Sequence, residues 1–461
     1  MFVDREKELR SLKEALERDR NSFIVIYGRR RIGKTSLIKE LLKEKDHVYY
    51  LATELPIKQQ FEDLQKQVGK ELGDDLLKKK AFNEWDDFFN YISDIEKSFT
   101  LVIDEFPYLI EAENAISSVF QKGWDEHIKG SEIDLVLCGS SISMMEDNIL
   151  KSDSPLYGRK TSQIKLKELP LTSLKKFLPR QSTEDIIRYY SVYGGVPAYL
   201  EMLNSELSFE ENLKRSVLNI DAPLKDAVDF ILKAELRRPE RYRSILSYLA
   251  RGVTTLNGLS QQMGLEGNRV SQYLSKLRTL ELVIREEPVT LSSKKKRRRG
   301  IYKIIDNFFR FYFYYILPNR SDIEEGRVES VLGSLKENES SYISPIFEEI
   351  CRDYVRKTTS YSKIGKWWYQ EEEIDVVALD PTKKKMLIGE CKWTDNPIGK
   401  DLYQDMLEKE KRVRWNKGDR EVEYAIFSRS GFDDGVKNLE NLLLLDTEDI
   451  WKDLTELYNH D

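Results

Sequence analysis

A glycine-rich loop between a short apolar run and a helical pattern is the feature that most constrains the fold of this chain. The apolar run is Phe23–Tyr27, and residues 28–35 follow with the sequence Gly-Arg-Arg-Arg-Ile-Gly-Lys-Thr. The two glycines permit backbone conformations that point several N–H groups inward at the oxygens of a phosphate. Lys34 can then reach the β- and γ-phosphates, and the Thr35 hydroxyl can bind Mg²⁺. A strand, such a loop and a helix in series predict a site for ATP or ADP with Mg²⁺.

A second apolar run ends in two acidic residues. Residues 101–103 lead into Asp104 and Glu105, which is typical of a buried strand that ends at the edge of a parallel sheet. We expect Asp104 to hold Mg²⁺ through water, and Glu105 to orient or deprotonate the attacking water. An acid at position 105 is dispensable for binding alone, so its presence favours hydrolysis.

The residues after the next apolar runs offer further candidates. The run 133–138 is followed by Ser140 and Ser141. Either hydroxyl could lie beside the γ-phosphate, or the pair could form only a turn. Further along, Arg159 precedes an expected strand at residues 163–166. It could act in a neighbouring subunit of a homo-oligomer as a finger that stabilises the transition state, sense its own nucleotide, or be a surface arginine.

Apolar runs alternate with helical patterns over the first 170 residues, and this alternation is typical of an α/β fold with a parallel sheet. A wholly helical stretch follows, then a compact pattern of three helices and two strands, and finally another α/β unit. We therefore predict a multidomain α/β protein. Its parts are a P-loop parallel-sheet ATPase core at residues 1–170, a helical lid at 171–235, a winged helix-turn-helix at 236–317, a linker at 318–340 and a C-terminal α/β domain at 341–461.

The charge is distributed unevenly along the chain. Residues 240–305 carry fourteen Lys and Arg against five acids, a net charge of +9 in a chain whose formal net charge is −6. A basic region in an acidic protein needs either a polyanionic partner or an acidic neighbouring surface to explain it.

Three helices and a hairpin are predicted in this basic region. The helices are expected at 240–250, at 256–263 after a Thr255 cap, and at 269–280, with a hairpin at 283–305 that carries a basic run near its tip. This is the pattern of a winged helix, which binds DNA through its last helix and its wing. Winged helices also serve as internal spacers or protein contacts, and that alternative stays open. The residues expected to contact DNA are Arg269, Gln272, Lys276, Lys294, Lys295, Lys296, Arg297, Arg298 and Arg299.

The C-terminal region combines carboxylates and a lysine in a pattern that suits metal chemistry. One expected strand carries Asp375, and the next carries Glu390 and Lys392, so a hairpin would bring the three side chains together. Asp375 and Glu390 can bind Mg²⁺, while Lys392 can orient or activate water and offset charge on a phosphate. The alternative is a solvated ion pair without a catalytic role.

This C-terminal pattern resembles the PD-(D/E)xK nuclease superfamily. Glu348, on an upstream helix, matches the superfamily's helical acid and by that resemblance is a metal ligand, and residues 427–432 resemble its later strand and turn. The sequence departs from the superfamily at Ile374, where a proline is usual. The resemblance implies a restriction-endonuclease-like α/β domain that either cleaves DNA with Mg²⁺ or persists as a DNA-binding remnant.

The N-terminal region resembles an archaeal ATPase family related to AAA+ and STAND NTPases. The resemblance is carried by residues 2–6 with Leu9, by the loop at 27–35, and by residues 138–141. Residues 193–197, Tyr-Gly-Gly-Val-Pro, resemble the glycine-proline lid motif of STAND proteins, whose proline packs near the adenine. The resemblance implies a lid that couples the nucleotide state to the arrangement of the domains. The expected nucleotide contacts are Arg5, Gly28, Arg31, Ile32, Gly33, Lys34, Thr35, Ser36, Ser140 and Pro197.

Three functional hypotheses follow from these patterns. The first is an ATP-hydrolysing, DNA-binding protein whose nucleotide state controls a Mg²⁺-dependent nuclease-like domain. The second is a STAND-type regulatory switch with a non-catalytic C-terminal domain, and the third is a protein-assembly scaffold. No apolar run is long enough for a membrane span, the N-terminus lacks an apolar signal region, and three scattered cysteines suggest no disulfide framework. We therefore expect a cytoplasmic protein without a membrane partner.

Overall fold

The computed structural model of the protein describes residues 2–18, 20–79, 82–291 and 300–460. The chain forms two compact units. The first unit contains Met1–Leu169 and the short segment Val196–Glu201, and the second contains Pro170–Gly195 and Met202–Asp461. Among the described residues, no helix combines the length and the apolar character needed to cross a bilayer.

A five-stranded parallel sheet forms the centre of the first unit. Its strands lie in the order β2-β3-β4-β1-β5. They are β1 (Phe23–Tyr27), β2 (His47–Leu51), β3 (Phe99–Asp104), β4 (Ile133–Gly139) and β5 (Ser162–Lys165). Every residue of β1 and β3 is buried, as expected for strands covered by helices on both faces. The predicted parallel α/β sheet is confirmed.

Helices of the first unit pack on both faces of this sheet. Alternate residues of β1 enter two different cores, with Phe23 and Val25 in one and Ile24 and Ile26 in the other, because successive side chains of a strand point to opposite faces. The helices are α1 (Glu6–Leu16), α2 (Lys34–Leu41), α3 (Ile57–Leu72), α4 (Asp75–Lys79), α5 (Trp85–Ser93), α6 (Pro107–Ala112), α7 (Ile116–Gly123) and α8 (Ile142–Met145); π-helical turns Trp124–Ile128 and Glu146–Leu150 extend α7 and α8.

The stretch predicted as a helical lid is helical, and it is divided between the two units. After the 3₁₀ turn Leu171–Ser173, the second unit begins with α9 (Leu174–Phe177) and α10 (Thr183–Tyr193). The chain then forms α11 (Pro197–Leu200) in the first unit. It returns to the second unit for α12 (Phe209–Leu213), the π turn Lys214–Leu218 and α13 (Ala227–Glu235).

The basic region folds into three helices followed by a two-stranded antiparallel sheet. The elements are α14 (Pro239–Ala250), α15 (Leu256–Met263), α16 (Gly267–Thr279), β6 (Val283–Glu286) and β7 (Ile301–Ile304). The Thr255 hydroxyl accepts a hydrogen bond from the N–H of Gly258 at 3.1 Å and so caps α15 as predicted. These bounds agree with the predicted helices to within two residues.

Residues 318–340, which their polar composition led us to predict as a linker, are largely helical. After α17 (Asn307–Phe311) and the π turn Tyr312–Ile316, they contain α18 (Arg320–Glu324) and the first part of α19 (Val328–Thr358). The linker prediction was wrong because Val331, Leu332 and Leu335 are buried. The polar residues between them belong to the outer side of an amphipathic helix.

A second five-stranded sheet forms the C-terminal part of the second unit, in the order β12-β11-β10-β9-β8. The pairs β8–β9 and β9–β10 are antiparallel, whereas β10–β11 and β11–β12 are parallel. The predicted second sheet is therefore confirmed. Its elements are β8 (Lys363–Tyr369), β9 (Glu372–Asp380), β10 (Lys385–Lys392), β11 (Glu421–Ser428) and β12 (Leu442–Asp446), with α20 (Lys400–Glu410), α21 (Asp434–Lys437) and α22 (Thr447–His460).

Candidate nucleotide site and C-terminal carboxylate cluster

The glycine-rich loop connects β1 to α2 at the carboxyl edge of the first sheet. Gly28 has a φ of 147° and Gly33 a φ of 92°, values at which glycine is favoured. The Lys34 ammonium donates to the carbonyl oxygens of Gly28 and Arg29, at 2.9 and 2.8 Å. Burial lowers the pKa of Lys34, and the nearby carboxylates oppose that effect. The loop therefore brings a buried cation and a helix N-terminus to one point, which suits phosphate binding.

We expect Gly28→Ala to destabilise the protein more than an ordinary substitution at a positive φ. A Cβ at Gly28 would lie 2.4 Å from the backbone oxygen of Leu166 and 2.6 Å from the Ile32 side chain. Backbone strain costs about 1–3 kcal/mol, and overpacking adds about 1–3 kcal/mol. Gly130→Ala is the control, because Gly130 has a φ of 96° and nothing within 4 Å of its added Cβ. Urea unfolding of both variants measures the loss in free energy of unfolding. Equal losses in the two variants would contradict the steric argument.

The two predicted acids lie at the end of β3, next to this loop. The Thr35 hydroxyl donates to Asp104 Oδ2 at 2.9 Å, and the N–H of Glu105 donates to Asp104 Oδ1 at 2.9 Å. Asp104 is buried, with 2% of its surface exposed. Oxygen ligands from a hydroxyl and a carboxylate suit Mg²⁺, so Thr35 and Asp104 fit the cation that accompanies a nucleotide.

Glu105 is held by the serine that follows β4. The Ser140 hydroxyl lies 2.8 and 2.6 Å from the two Glu105 carboxylate oxygens, and the Ser140 N–H donates to one of them at 3.2 Å. Glu105 itself has a φ of 54°, in the left-handed region. Of the two serines that the sequence offered, Ser140 is therefore the one that contacts the predicted catalytic acid.

The remaining predicted nucleotide contacts surround the loop. Arg5 donates to the carbonyl oxygen of Ile32 at 3.1 Å. Pro197, in the segment that returns to the first unit, lies 3.8 Å from the point where a Cβ on Gly33 would be. The Arg31 guanidinium lies 5.7 Å from the centre of the Tyr199 ring. Ser36 lies in the first turn of α2 and is exposed.

Arg159 is tied to its own surroundings in the first unit. Its Nε lies 2.8 Å from Asp125 Oδ2, and its Nη1 donates to the carbonyl oxygen of Pro155 at 2.7 Å. These contacts are those of a partly exposed arginine that anchors a turn. A role for Arg159 in stabilising the transition state or sensing the nucleotide stays a prediction.

The loop, the acids and the serine define the first unit as an ATPase domain of the P-loop class. A family described as an ATPase domain predominantly from Archaea matches residues 2–203, and a family of archaeal and bacterial proteins of unknown function matches residues 312–412. An uncharacterized protein from Methanocaldococcus jannaschii is 37% identical over 460 residues, which cover 97% of this chain and 100% of that protein. The chain therefore belongs to the same family as this archaeal protein, and its residues 2–203 match the archaeal ATPase domain.

Two further comparisons concern smaller shares of sequence or the fold alone. An uncharacterized ATP-binding protein from the same organism is 47% identical over 45 residues, which cover 10% of this chain and 76% of that protein. The Walker-type ATPase of Pyrococcus abyssi covers 68% of this chain and 96% of its own, with 20% identity and a TM-score of 0.53. At that identity the likeness establishes a shared fold.

The predicted C-terminal residues meet on the β9–β10 hairpin. The register pairs Val376 with Gly389, so Asp375 and Glu390 are neighbours across the two strands. Both are buried, with exposed fractions of 5% and 1%. Lys392 Nζ donates to Glu390 Oε2 at 3.0 Å. Burial raises the pKa of Asp375, and the adjacent Glu390 raises it further.

Lysines that we did not predict pair with these carboxylates. Lys366 Nζ, from β8, lies 2.8 Å from Glu348 Oε2 and 3.8 Å from Asp375 Oδ1. Lys409 Nζ, from α20, lies 2.9 Å from Glu390 Oε1. Burial acts to lower the pKa of Lys366, but the Glu348 carboxylate raises it above its ordinary value. Each carboxylate therefore has a cationic partner, and a metal role for Glu348 stays a prediction.

The predicted DNA contacts divide between described and undescribed parts of the chain. Arg269 and Gln272 are exposed on α16 and Lys276 is half-buried, while Val270 and Leu274 of the same helix are buried. Residues 294–299, which carry the other six predicted contacts, lie outside the described residues.

The β6–β7 hairpin contacts the C-terminal sheet. The N–H of Val289, after β6, donates to the carbonyl oxygen of Lys366 at 2.9 Å, and the Val289 side chain packs against the C-terminal core. Lys303 Nζ, on β7, lies 2.7 Å from Glu349, the residue next to Glu348. The hairpin is therefore joined to the strand that carries Lys366 and to the helix that carries Glu348.

Proposed function

We propose that this protein hydrolyses ATP, binds DNA, and uses its nucleotide state to control a Mg²⁺-dependent nuclease-like domain. The observation that carries the proposal is the meeting of Lys34, Thr35, Asp104, Glu105 and Ser140 at one edge of the first sheet. A binding site alone does not require the carboxylate of Glu105 or a hydroxyl group beside it.

The residues of the first unit divide the work of hydrolysis. Lys34 neutralises charge on the β- and γ-phosphates, and the backbone of the loop fixes their position. Mg²⁺, when bound at Thr35 and Asp104, supplies further charge neutralisation. Glu105 takes a proton from the attacking water or orients it. Ser140 contacts both Glu105 oxygens, and because a carboxylate has about four acceptor sites, Glu105 can also accept from water while the serine holds it.

Three features support DNA binding by the second unit. Helices α14–α16 and the antiparallel β6–β7 hairpin have the order of elements of a winged helix. Arg269 and Gln272 are exposed on its last helix. The +9 charge of residues 240–305 suits the phosphate backbone. The contacts of Val289 and Lys303 would bring DNA held by the hairpin close to the carboxylate cluster.

Helix α10 supports the proposed control by nucleotide. It leads through Gly194, whose φ is 59° and ψ is −154°, to the Pro197 segment beside the loop. Within the second unit, α10 is fixed to α19, since Arg188 Nη2 lies 3.0 Å from Glu339 and the Tyr342 hydroxyl donates to the Ser191 carbonyl oxygen at 3.1 Å. A change at Pro197 would therefore be transmitted along α10 to the helix that carries Glu348.

The C-terminal cluster supports metal-dependent cleavage through its donor set. Asp375 and Glu390 are adjacent buried carboxylates whose repulsion a divalent cation would relieve, and this fits Mg²⁺. They would hold the ion, which when bound would polarise the scissile phosphate. Lys392 would orient the attacking water or stabilise charge on the phosphate.

The lysine pairs favour a second candidate function. Lys366 and Lys409 already neutralise Glu348, Asp375 and Glu390, as in a binding domain that no longer needs a metal. In that case the protein is an ATP-dependent DNA-binding switch with a non-catalytic C-terminal domain.

A cleavage assay separates the two candidates. Plasmid, branched and single-stranded DNA are incubated with the full chain and Mg²⁺ or Mn²⁺, with and without ATP. We expect cleavage that Asp375→Ala and Lys392→Ala each reduce at least about 100-fold, the effect of removing one group that stabilises transition-state charge. Asp401→Ala, at an exposed aspartate of α20, is the matched control. No cleavage of any substrate would favour the non-catalytic switch over the nuclease. Cleavage that persists in both Asp375→Ala and Lys392→Ala would lead to the same conclusion.

A further inference from the structure

Tyr49 lies on β2, next to the strand that carries the predicted magnesium aspartate. Its hydroxyl donates to Asp104 Oδ2, the oxygen that also accepts from Thr35 at 2.9 Å. Strand alternation directs the Tyr49 side chain to the core that contains Val102 and Leu37, whereas Tyr50 enters the opposite core. Tyr49 therefore contacts Asp104 on the face of the sheet that is covered by α2, the helix that follows the glycine-rich loop.

Asp104 is anchored at both of its oxygens. Oδ1 accepts the N–H of Glu105 at 2.9 Å, and Oδ2 accepts the hydroxyls of Thr35 and Tyr49. Thr35 would have a second task, because its oxygen would also be a ligand for the cation when the cation is bound. Tyr49 has no such task, so its hydrogen bond can fix the carboxylate throughout the cycle.

We propose that Tyr49 is a positioning residue for the magnesium ion of the ATPase site, and that it holds Asp104 in the orientation that receives the cation. This proposal deepens the ATPase part of the proposed function and rests on it. It is independent of DNA binding and of the C-terminal cluster.

The chemistry of a tyrosine hydroxyl suits this task. A hydrogen bond to a charged acceptor is stronger than one between neutral groups. The ordinary pKa of a tyrosine hydroxyl is about 10, well above neutral pH. The hydroxyl therefore keeps its proton at neutral pH and stays a donor.

Tyr49→Phe in the full chain tests the proposal, because it removes one oxygen and leaves the ring. We expect the affinity for Mn²⁺ in the presence of ADP, measured by electron paramagnetic resonance, to fall on the order of tenfold. We expect the Mg²⁺ concentration for half-maximal ATP hydrolysis to rise by a similar factor, with a much smaller change in the rate at saturating Mg²⁺. Tyr50→Phe, the neighbour on the same strand, is the matched control and should leave both values unchanged.

The outcomes separate a positioning role from a structural one. A lower melting temperature for Tyr49→Phe with unchanged Mn²⁺ affinity would overturn the proposal, as would equal metal effects in both variants. If the unaltered protein binds Mn²⁺ with ADP but hydrolyses no ATP, the proposed hydrolysis fails while the Mn²⁺ titration still decides the role of Tyr49. If the unaltered protein binds no Mn²⁺ with ADP, the role of Tyr49 is overturned as well.

Discussion

Glu105→Gln should lower the rate of ATP hydrolysis at least about 100-fold and leave nucleotide affinity nearly unchanged. A glutamine can accept and donate hydrogen bonds, but it cannot take a proton from water. General-base catalysis of this kind contributes about 10²–10⁴-fold. Steady-state phosphate release and the binding of a fluorescent ATP analogue measure the two quantities. Because Glu105 lies outside the loop that holds the phosphates, binding and hydrolysis should separate in this variant.

Glu111→Gln is the matched control for this prediction, since Glu111 is an exposed acid on α6, in the same unit. It should hydrolyse ATP at the unaltered rate. Equal activity of Glu105→Gln and the unaltered protein would show that Glu105 is not the base. A loss of nucleotide binding equal to the loss of hydrolysis would instead indicate damage to the loop.

The meeting of the candidate nucleotide-site residues was largely predictable because these residues are close in sequence to the elements that position them. The loop follows β1 directly, and Asp104 ends β3. The carboxyl ends of parallel strands meet at one edge of a sheet. The sequence left open which serine meets Glu105, because that depends on the backbone turn after β4. The structure answers it with the Ser140 contacts at 2.6 and 2.8 Å.

Residues that contact the candidate sites from a different strand or helix were not predictable from local sequence patterns. Tyr49 has the apolar surroundings of a core strand, and only the order of β2 and β3 in the sheet brings its hydroxyl to Asp104. Lys366 and Lys409 precede and follow the β9–β10 hairpin in separate elements. Strand pairing and the packing of α20 bring them to the carboxylates, and neither is determined by a spacing along the chain.

Polar composition misled us at residues 318–340. A run of charges with two glycines resembles a linker, yet Val331 and Leu335 recur at helical spacing and are buried. Because α19 continues from this region to Glu348 without a break, the second unit has a continuous helix where a linker was expected. Glu339 and Glu348 therefore belong to one helix, with Pro345 between them.

Neutralising the basic run, with Lys294 to Arg299 changed to Gln, should weaken DNA binding strongly and make it much less sensitive to salt. Each phosphate contact releases counterions and adds about −0.9 to the slope of log affinity against log salt. If most of the six side chains contact phosphates, the slope should fall in magnitude by roughly 4–5. Fluorescence anisotropy of a labelled duplex, measured over a range of KCl concentrations, gives both the affinity and the slope.

The control for the basic run must remove the same charge elsewhere, because net charge alone alters association with DNA. A suitable variant changes six exposed lysines of the first unit to Gln: Lys39, Lys43, Lys58, Lys66, Lys70 and Lys78. We expect this variant to keep nearly all of the slope. Equal losses in the two variants would mean that binding follows total charge, and an unchanged slope in the basic-run variant would remove residues 294–299 from the DNA interface. Arg269→Ala and Gln272→Ala would then be the variants that decide whether α16 binds DNA without them.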